Sequence, residues 1–314
     1  MFELLQPIPE YHYRVWGGWR LKPDADQPIG EAWIVHENNR IASGRYAGQT
    51  LAGLAAEFGA ALLGEAVVAR TGTRFPLLIK LLDCNDWLSI QVHPNDAQAI
   101  ALEGTGHFGK TEAWHVLEAS PGACLIAGTR PGARPDDLAR AIREGSVLEL
   151  VQRRSVRAGD TVFTPAGTLH ALGPGLLIYE VQQTSDITYR VWDWNRPASA
   201  GRALHIEQAL AVTDPEATGQ VYPLQPMLDA DAQRLVTCPY FTLDLLASKA
   251  DALSLDTGGQ SFHALTVVQG SAIVESSDQA TLLGQFETVV VPAACRAYRV
   301  RPLQPIRVLK ASAS

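Results

Sequence analysis

Residues 159–173 read GDTVFTPAGTLHALG. The run before the proline mixes Val, Phe and Thr, a composition that suits a pleated strand. Pro165 ends that strand, Gly167 permits a tight turn, and the next strand aims His170 inward. A second stretch, WLSIQVH at 87–93, raises a related question. Strand alternation puts Leu88, Ile90 and Val92 on one aliphatic face, and Ser89, Gln91 and His93 on the opposite one. An ordinary solvent face would carry Lys, Thr or Glu. A hydroxyl, a carboxamide and an imidazole in a row point to the wall of a site instead.

The surrounding sequence has the same β character. FPLLIKLL, GACLIAGT, GLLIYEVQQ, ITYRVWDW, FTLDLLAS, FHALTVVQG and FETVVVP are short runs bounded by turn residues. Such spacing predicts a sandwich or barrel, not a parallel α/β sheet. LLIYEVQQ and ITYRVWDW, separated by TSD, are expected to pair as a hairpin. Helices are expected over 50–65, over 134–151 with Pro135 and two Asp residues at its start, and briefly after Pro94. The proline-containing stretch 213–233 is expected to connect a larger N-terminal part to a smaller β-domain.

Composition narrows the function classes. The chain has 314 residues, 46% of them hydrophobic, so a substantial core is expected. A net charge of −7 argues against a nucleic-acid partner. No run reaches the ~18 apolar residues of a membrane span, and MFELLQPIPE lacks the basic and apolar regions of a signal peptide. The four cysteines are widely spaced without a C-x-x-C pair, which suits a cytoplasmic protein without a thiol metal knuckle. Neither a dinucleotide fingerprint nor a P-loop is present, so no organic cofactor is expected.

Gly159, Pro165, Gly167 and His170 resemble, in their spacing, the second motif of the cupin superfamily. LSIQVH then takes the place of the first motif, with Gln91 and His93 at i and i+2. The acid that usually follows closely is displaced to Glu112, 19 residues after His93, which implies an inserted helix and loop. Together with VWGGWRL (15–21), IGEAW (29–33), GKTEAW (109–114) and YEVQQTSDITYRVWDWNR (179–196), this pattern resembles the type I phosphomannose isomerases in their short bacterial form. The resemblance implies a mainly β fold of two cupin-type (jelly-roll) β-barrels, with a few helices inserted in the N-terminal part. Residues 1–220 would form the catalytic metal-binding domain, and 221–314 a smaller, degenerate cupin-like domain. Aligning Pro165 with Pro292 sets Ala297 against His170, so the second barrel has lost its ligand histidine.

The implied chemistry is interconversion of mannose 6-phosphate and fructose 6-phosphate by metal-assisted proton transfer through a cis-enediol, with a small phosphosugar as partner. Gln91, His93, Glu112 and His170 would bind one zinc ion per chain, although iron, manganese or cobalt suit similar donors. Arg190 matches the family's catalytic arginine. Lys110 shares the face of Glu112 if 110–114 is a strand. Ser89, Lys110, Glu180 and Arg190 are candidate substrate contacts. The proton-transfer base is open among Lys110, Glu180, Asp186 and a hydroxide at the metal. Two other functions fit a cupin site: an iron-dependent oxygenase and a non-catalytic sugar-phosphate binding protein. Of the remaining histidines, only His115 has a position suggesting support of the site.

Overall fold

The computed structural model describes residues 3–197, 202–277 and 279–314. Contacts divide the chain into two units. One contains the residues up to Glu10, Trp33–Ile79 and Gln225–Ser314; the other contains Tyr11–Ala32 and Lys80–Leu224. The expected boundary at 220/221 lies near Leu224, but the N-terminal part is not one continuous domain. Residues 33–79 belong with the C-terminal segment because their apolar groups pack there. Phe75 lies 4.8 Å from Phe262, and the Phe262 N–H donates to the Leu63 carbonyl.

Twelve strands lead into and through the second of these units: β1 (Glu10–Gly18), β2 (Ile29–Val35), β3 (Leu77–Cys84), β4 (Ile90–Val92), β5 (Glu112–Ala119), β6 (Cys124–Thr129), β7 (Val151–Ser155), β8 (Thr161–Thr164), β9 (His170–Leu172), β10 (Leu176–Gln183), β11 (Tyr189–Trp192) and β12 (Gln220–Tyr222). They form a seven-stranded sheet, β1-β2-β3-β10-β5-β8-β12, and a five-stranded sheet, β11-β4-β9-β6-β7. β5 pairs antiparallel with β10 and β8, and β4 with β9 and β11. One core cluster joins Trp114, Val162 and Ile178 of the larger sheet to Leu125, Ala127 and Leu172 of the smaller, so the two sheets face each other. A second cluster sets Ile90, Val92, Leu169 and Val191 against helical Leu138, Ile142 and Ala209. Ile90 and Val92 therefore lie on the helix-covered back of the smaller sheet, whereas Leu88, ahead of β4, packs into the core between the sheets. Gln91 and His93 look inward.

LLIYEVQQ and ITYRVWDW do not form the expected hairpin. β10 pairs with β5, whereas β11 pairs with β4 in the other sheet, so residues 184–188 carry the chain from one sheet to its partner. The 213–233 stretch also contains structure: β12 adds to the edge of the larger sheet beside β8. The expected helix over 50–65 is three pieces, α1 (Leu51–Phe58), α2 (Ala60–Leu63) and α3 (Glu65–Thr71), broken at Gly59 and Gly64. α4 (Asp96–Glu103) is the short helix after Pro94, started by an Asn95–Gln98 capping box. α5 (Pro135–Glu144) has Pro135 in its first turn and ends at left-handed Gly145. α6 (Ile206–Val212) lacks a side-chain cap, and its start carried no signal in the sequence.

The other unit holds a five-stranded sheet, Asp231–Thr237, Phe241–Ser248, Ile306–Ala313, His263–Gln269 and Thr288–Val291, and a four-stranded one. Its core gathers Leu246, Leu265, Val267, Val289, Val300 and Val308. The strand Ala297–Pro302 starts at Ala297, as β9 starts at His170. No helix among the described residues is long and apolar enough to cross a membrane.

Candidate active site

Pairing across the smaller sheet places Arg190 beside Gln91, Gln91 beside His170, and His170 beside Ala127. On the larger sheet Glu112 pairs with Gln182 and Thr164, and Trp114 with Glu180. The two inner faces converge on His93, Glu112 and His170, each about 1% exposed, whose donor atoms lie within 4.8 Å of one another. His170 Nε2 is 3.1 Å from Glu112 Oε1, and His93 Nε2 is 3.6 Å from Oε2.

Both imidazoles are fixed by their other nitrogen. His93 Nδ1 lies 2.8 Å from the Ile187 carbonyl, and His170 Nδ1 lies 2.8 Å from that of Thr168. A carbonyl only accepts, so each Nδ1 carries the proton and each Nε2 presents a lone pair to the cluster. Glu112 Oε2 is buried without an aligned hydrogen-bond donor. Lys110 Nζ stands 2.8 Å from that oxygen, out of line, and 2.9 Å from His93 Nε2, to which it donates. Donors about 2.0–2.2 Å from a tetrahedral ion stand roughly 3.3–3.6 Å apart, near the two histidine–carboxylate separations, which run to different oxygens of Glu112, while the whole donor set spans up to 4.8 Å. The residues present therefore fit a divalent ion.

Charge follows from burial. Desolvation, with the Lys110 cation as the next influence, pushes His93 well below the ordinary histidine range, so it stays neutral. Burial alone would raise the Glu112 carboxyl. The Lys110 cation outweighs it and holds the group well below the usual carboxylate range. A neutral imidazole and a carboxylate are the forms that bind metal.

The amide of Gln91 is close by: Nε2 donates to His170 Nε2 at 3.3 Å, and Oε1 accepts from Ser89 Oγ at 3.2 Å. Ser89 is fully buried and also accepts from Arg202, which is anchored on Asp193. Arg190 has no ion-pair partner among the described residues. Its Nε is buried without an acceptor, and one weak bond at 3.4 Å reaches the Ala203 carbonyl. Desolvation, then the neighbouring Arg202, lowers its pKa.

Glu180 is buried and doubly engaged, by Lys80 at 3.1 Å and by Trp114 Nε1 at 2.8 Å. Asp186 is exposed. His115 turns to the face opposite Trp114 and bonds Thr161 Oγ1 at 2.9 Å, away from the cluster. Lys80 is the site residue the sequence reading passed over. It is 6% exposed, and a single cation inside the aliphatic run FPLLIKLL was the available signal.

Facing antiparallel sheets, a buried His–Glu–His cluster and adjacent unpaired or closely held cations define a mainly β enzyme with a candidate metal centre. The model of the phosphomannose isomerase type I catalytic domain matches residues 18–110. The mannose-6-phosphate isomerase of Streptococcus mutans is 39% identical over 74% of this chain and 75% of its own. That of Bacillus subtilis, ManA, is 35% identical over 75% and 76%. The chain belongs to the type I phosphomannose isomerase family. A crystal structure of the Bacillus subtilis mannose 6-phosphate isomerase superposes with a TM-score of 0.86 at 29% identity, covering 99% of both chains. One from Salmonella typhimurium shares the fold at 17% identity and a TM-score of 0.79.

Proposed function

We propose that the chain interconverts mannose 6-phosphate and fructose 6-phosphate with one zinc ion held by His93, Glu112 and His170, joined by the Gln91 amide oxygen once the amide is turned to exchange its Nε2 and Oε1 positions. The observation that carries this reading is the pair of imidazoles whose Nδ1–H bonds to carbonyls leave both Nε2 lone pairs facing a buried carboxylate. Bound zinc supplies Lewis-acid stabilisation of substrate oxygens, a contribution of several kcal/mol.

The side chains divide the remaining work. The isomerisation moves a proton between C2 and C1 through a cis-enediol, and negative charge develops on the oxygens. Arg190, a cation without a carboxylate partner among the described residues and in the layer beside Gln91, offers N–H groups to that oxyanion or to the phosphate. Ser89 lines the same wall, and because its buried Oγ is held between Gln91 and Arg202 we assign it to positioning those side chains instead of touching the phosphate. Glu180 already accepts from Lys80 and Trp114, so it orients Lys80 and the substrate in place of taking a proton. Asp186 is exposed. Of the two groups left, Lys110 and a hydroxide at the metal, we assign the proton exchange to Lys110, the side chain within the cluster and next to Glu112.

Face-to-face sheets in the site-bearing unit support a cupin-type jelly-roll barrel, and Ala297 in the place of His170 supports a degenerate one in residues 221–314. Four free cysteines suit a cytoplasmic enzyme. The test is a coupled assay of fructose 6-phosphate formed from mannose 6-phosphate by zinc-reconstituted protein beside a chelated sample. Zinc-dependent turnover is expected. No turnover from folded, metal-loaded protein would overturn the substrate assignment.

A further inference from the structure

The 19-residue displacement of Glu112 from His93 poses a mechanical problem. A helix and a loop intervene, yet Lys110 must return to within 3 Å of both Glu112 and His93, and Glu112 to 3.6 Å from His93. Three consecutive backbone N–H groups show how the loop is held. Gly109 N donates to Asp96 Oδ1 at 2.8 Å, Lys110 N to the Pro94 carbonyl at 2.9 Å, and Thr111 N to Gln183 Oε1 at 3.0 Å. Gln183 and Asp96 are themselves joined, Nε2 donating to the same Oδ1 at 2.8 Å. Gln183 is 4% exposed and sits at the end of β10. Asp96 is the first residue of α4.

We propose that Asp96 and Gln183 are positioning residues, a hydrogen-bonded clamp that sets the Lys110–Glu112 segment against the two histidines. This inference rests on the reading of Lys110 and Glu112 as working groups. Neither residue belongs to the His–Glu–His cluster. Asp96 accepts two N–H groups on one oxygen, and Gln183 uses its amide in both senses, so the contact demands an acceptor at 96 and a donor–acceptor pair at 183. Thr111 extends the hold to the turn before His170, its Oγ1 accepting from Ala166 N at 3.3 Å. Gly109 has no room for a side chain: a Cβ there would lie 2.5 Å from the backbone carbon of Asn95. The close approach that excludes the side chain also brings Gly109 N onto Asp96.

Three variants of the full chain, Asp96→Asn, Asp96→Ala and Gln183→Leu, separate positioning from general support. Each is compared with wild type for folding by circular dichroism, for zinc affinity against a chromophoric chelator, and for kcat and KM with mannose 6-phosphate. Asp96→Asn keeps the accepting oxygen and the shape, and stays within a few-fold of wild type in all three. Asp96→Ala and Gln183→Leu lose about 10–100-fold in zinc affinity and in kcat, with KM changed far less. Zinc affinity reads the clamp even if wild type fails to turn over this sugar, so the two readings fail separately. Folded Asp96→Ala and Gln183→Leu proteins with wild-type zinc affinity would overturn the clamp. So would an Asp96→Asn protein as impaired as Asp96→Ala. Should Asp96→Ala not fold, Gln183→Leu, which conserves volume, decides alone.

Discussion

At Lys110 two demands meet. Its ammonium is close enough to Glu112 and His93 to be the cation those donors hold, and it is also the best placed group for moving a proton. Replacing it by Met should separate the two. Lys110→Met removes a like charge from beside the ion, so zinc affinity measured by chelator competition is expected to hold or tighten, while kcat falls by about 10²-fold or more. Weaker zinc binding would make Lys110 a support for the ion. Arg190 invites a second substitution. Arg190→Ala should lower kcat/KM by about 10²–10³-fold, and Arg190→Lys should recover only part, because an ammonium cannot reproduce a two-pronged grip. Steady-state kinetics of both check this; full recovery by Lys would reduce Arg190 to a point charge. His93, Glu112 and His170, singled out in the sequence through the family resemblance, are gathered by sheet pairing into one buried cluster. Lys80 and Gln183 were not legible there. Their partners, Glu180 and Asp96, are 100 and 87 residues away in sequence, and no local pattern records such a contact.

Elements show where local signals end. Pro135 starts α5 as helix rules predict, but left-handed Gly145 ends it short of the expected 151, where β7 begins, and Asn95 starts α4 with a capping box. The alanine- and leucine-rich 50–65 stretch misled because apolar composition is continuous across Gly59 and Gly64, whereas the backbone is not. The TSD sequence looked like a hairpin turn, but it joins strands of two sheets. Only the long-range pairing of β10 with β5 and of β11 with β4 distinguishes the cases. Gly64 tests the reading of the broken helix. Its φ is +102°, and a Cβ would lie 2.1 Å from the Gln260 carbonyl oxygen, which is backbone and has little freedom to retreat. Gly64→Ala should therefore destabilise by about 2 kcal/mol or more in urea unfolding, through left-handed strain and overpacking together. Gly72, also at positive φ but with open space around it, is the control, and Gly72→Ala should cost about 1 kcal/mol. Equal effects at the two sites would mean that conformation alone, not the approach of Gln260, dictates glycine.

For the whole molecule, acid is the discriminating stress, because each unit carries a buried histidine that folds neutral. His93 serves the site. His263, in the other unit, bonds Tyr298 Oη at 2.7 Å, and burial, then the Lys310 cation, pushes it down to about 3, with Asp244 and Asp256 opposing. Its unfolded value is near 6.5, so between these values the unfolded chain binds a proton that the folded chain refuses. The stability associated with neutral His263 is thus complete above about pH 6.5 and is lost progressively as pH falls towards about 3. Across the full window that linkage is on the order of a few kcal/mol. His93 and Glu112, both with lowered values, add losses of the same sign in the site-bearing unit; saturating zinc removes His93 from the competition by occupying its Nε2. His263→Asn keeps a polar partner for Tyr298 and cannot take up the proton. With zinc present, calorimetry near pH 7 and near pH 5 should show wild type losing several degrees more in Tm than His263→Asn. The difference should lie in the transition that reports the unit containing Gln225–Ser314. If both proteins lose the same Tm, His263 is not the acid-sensitive group of that unit, and its neutral burial has no consequence for stability in this range.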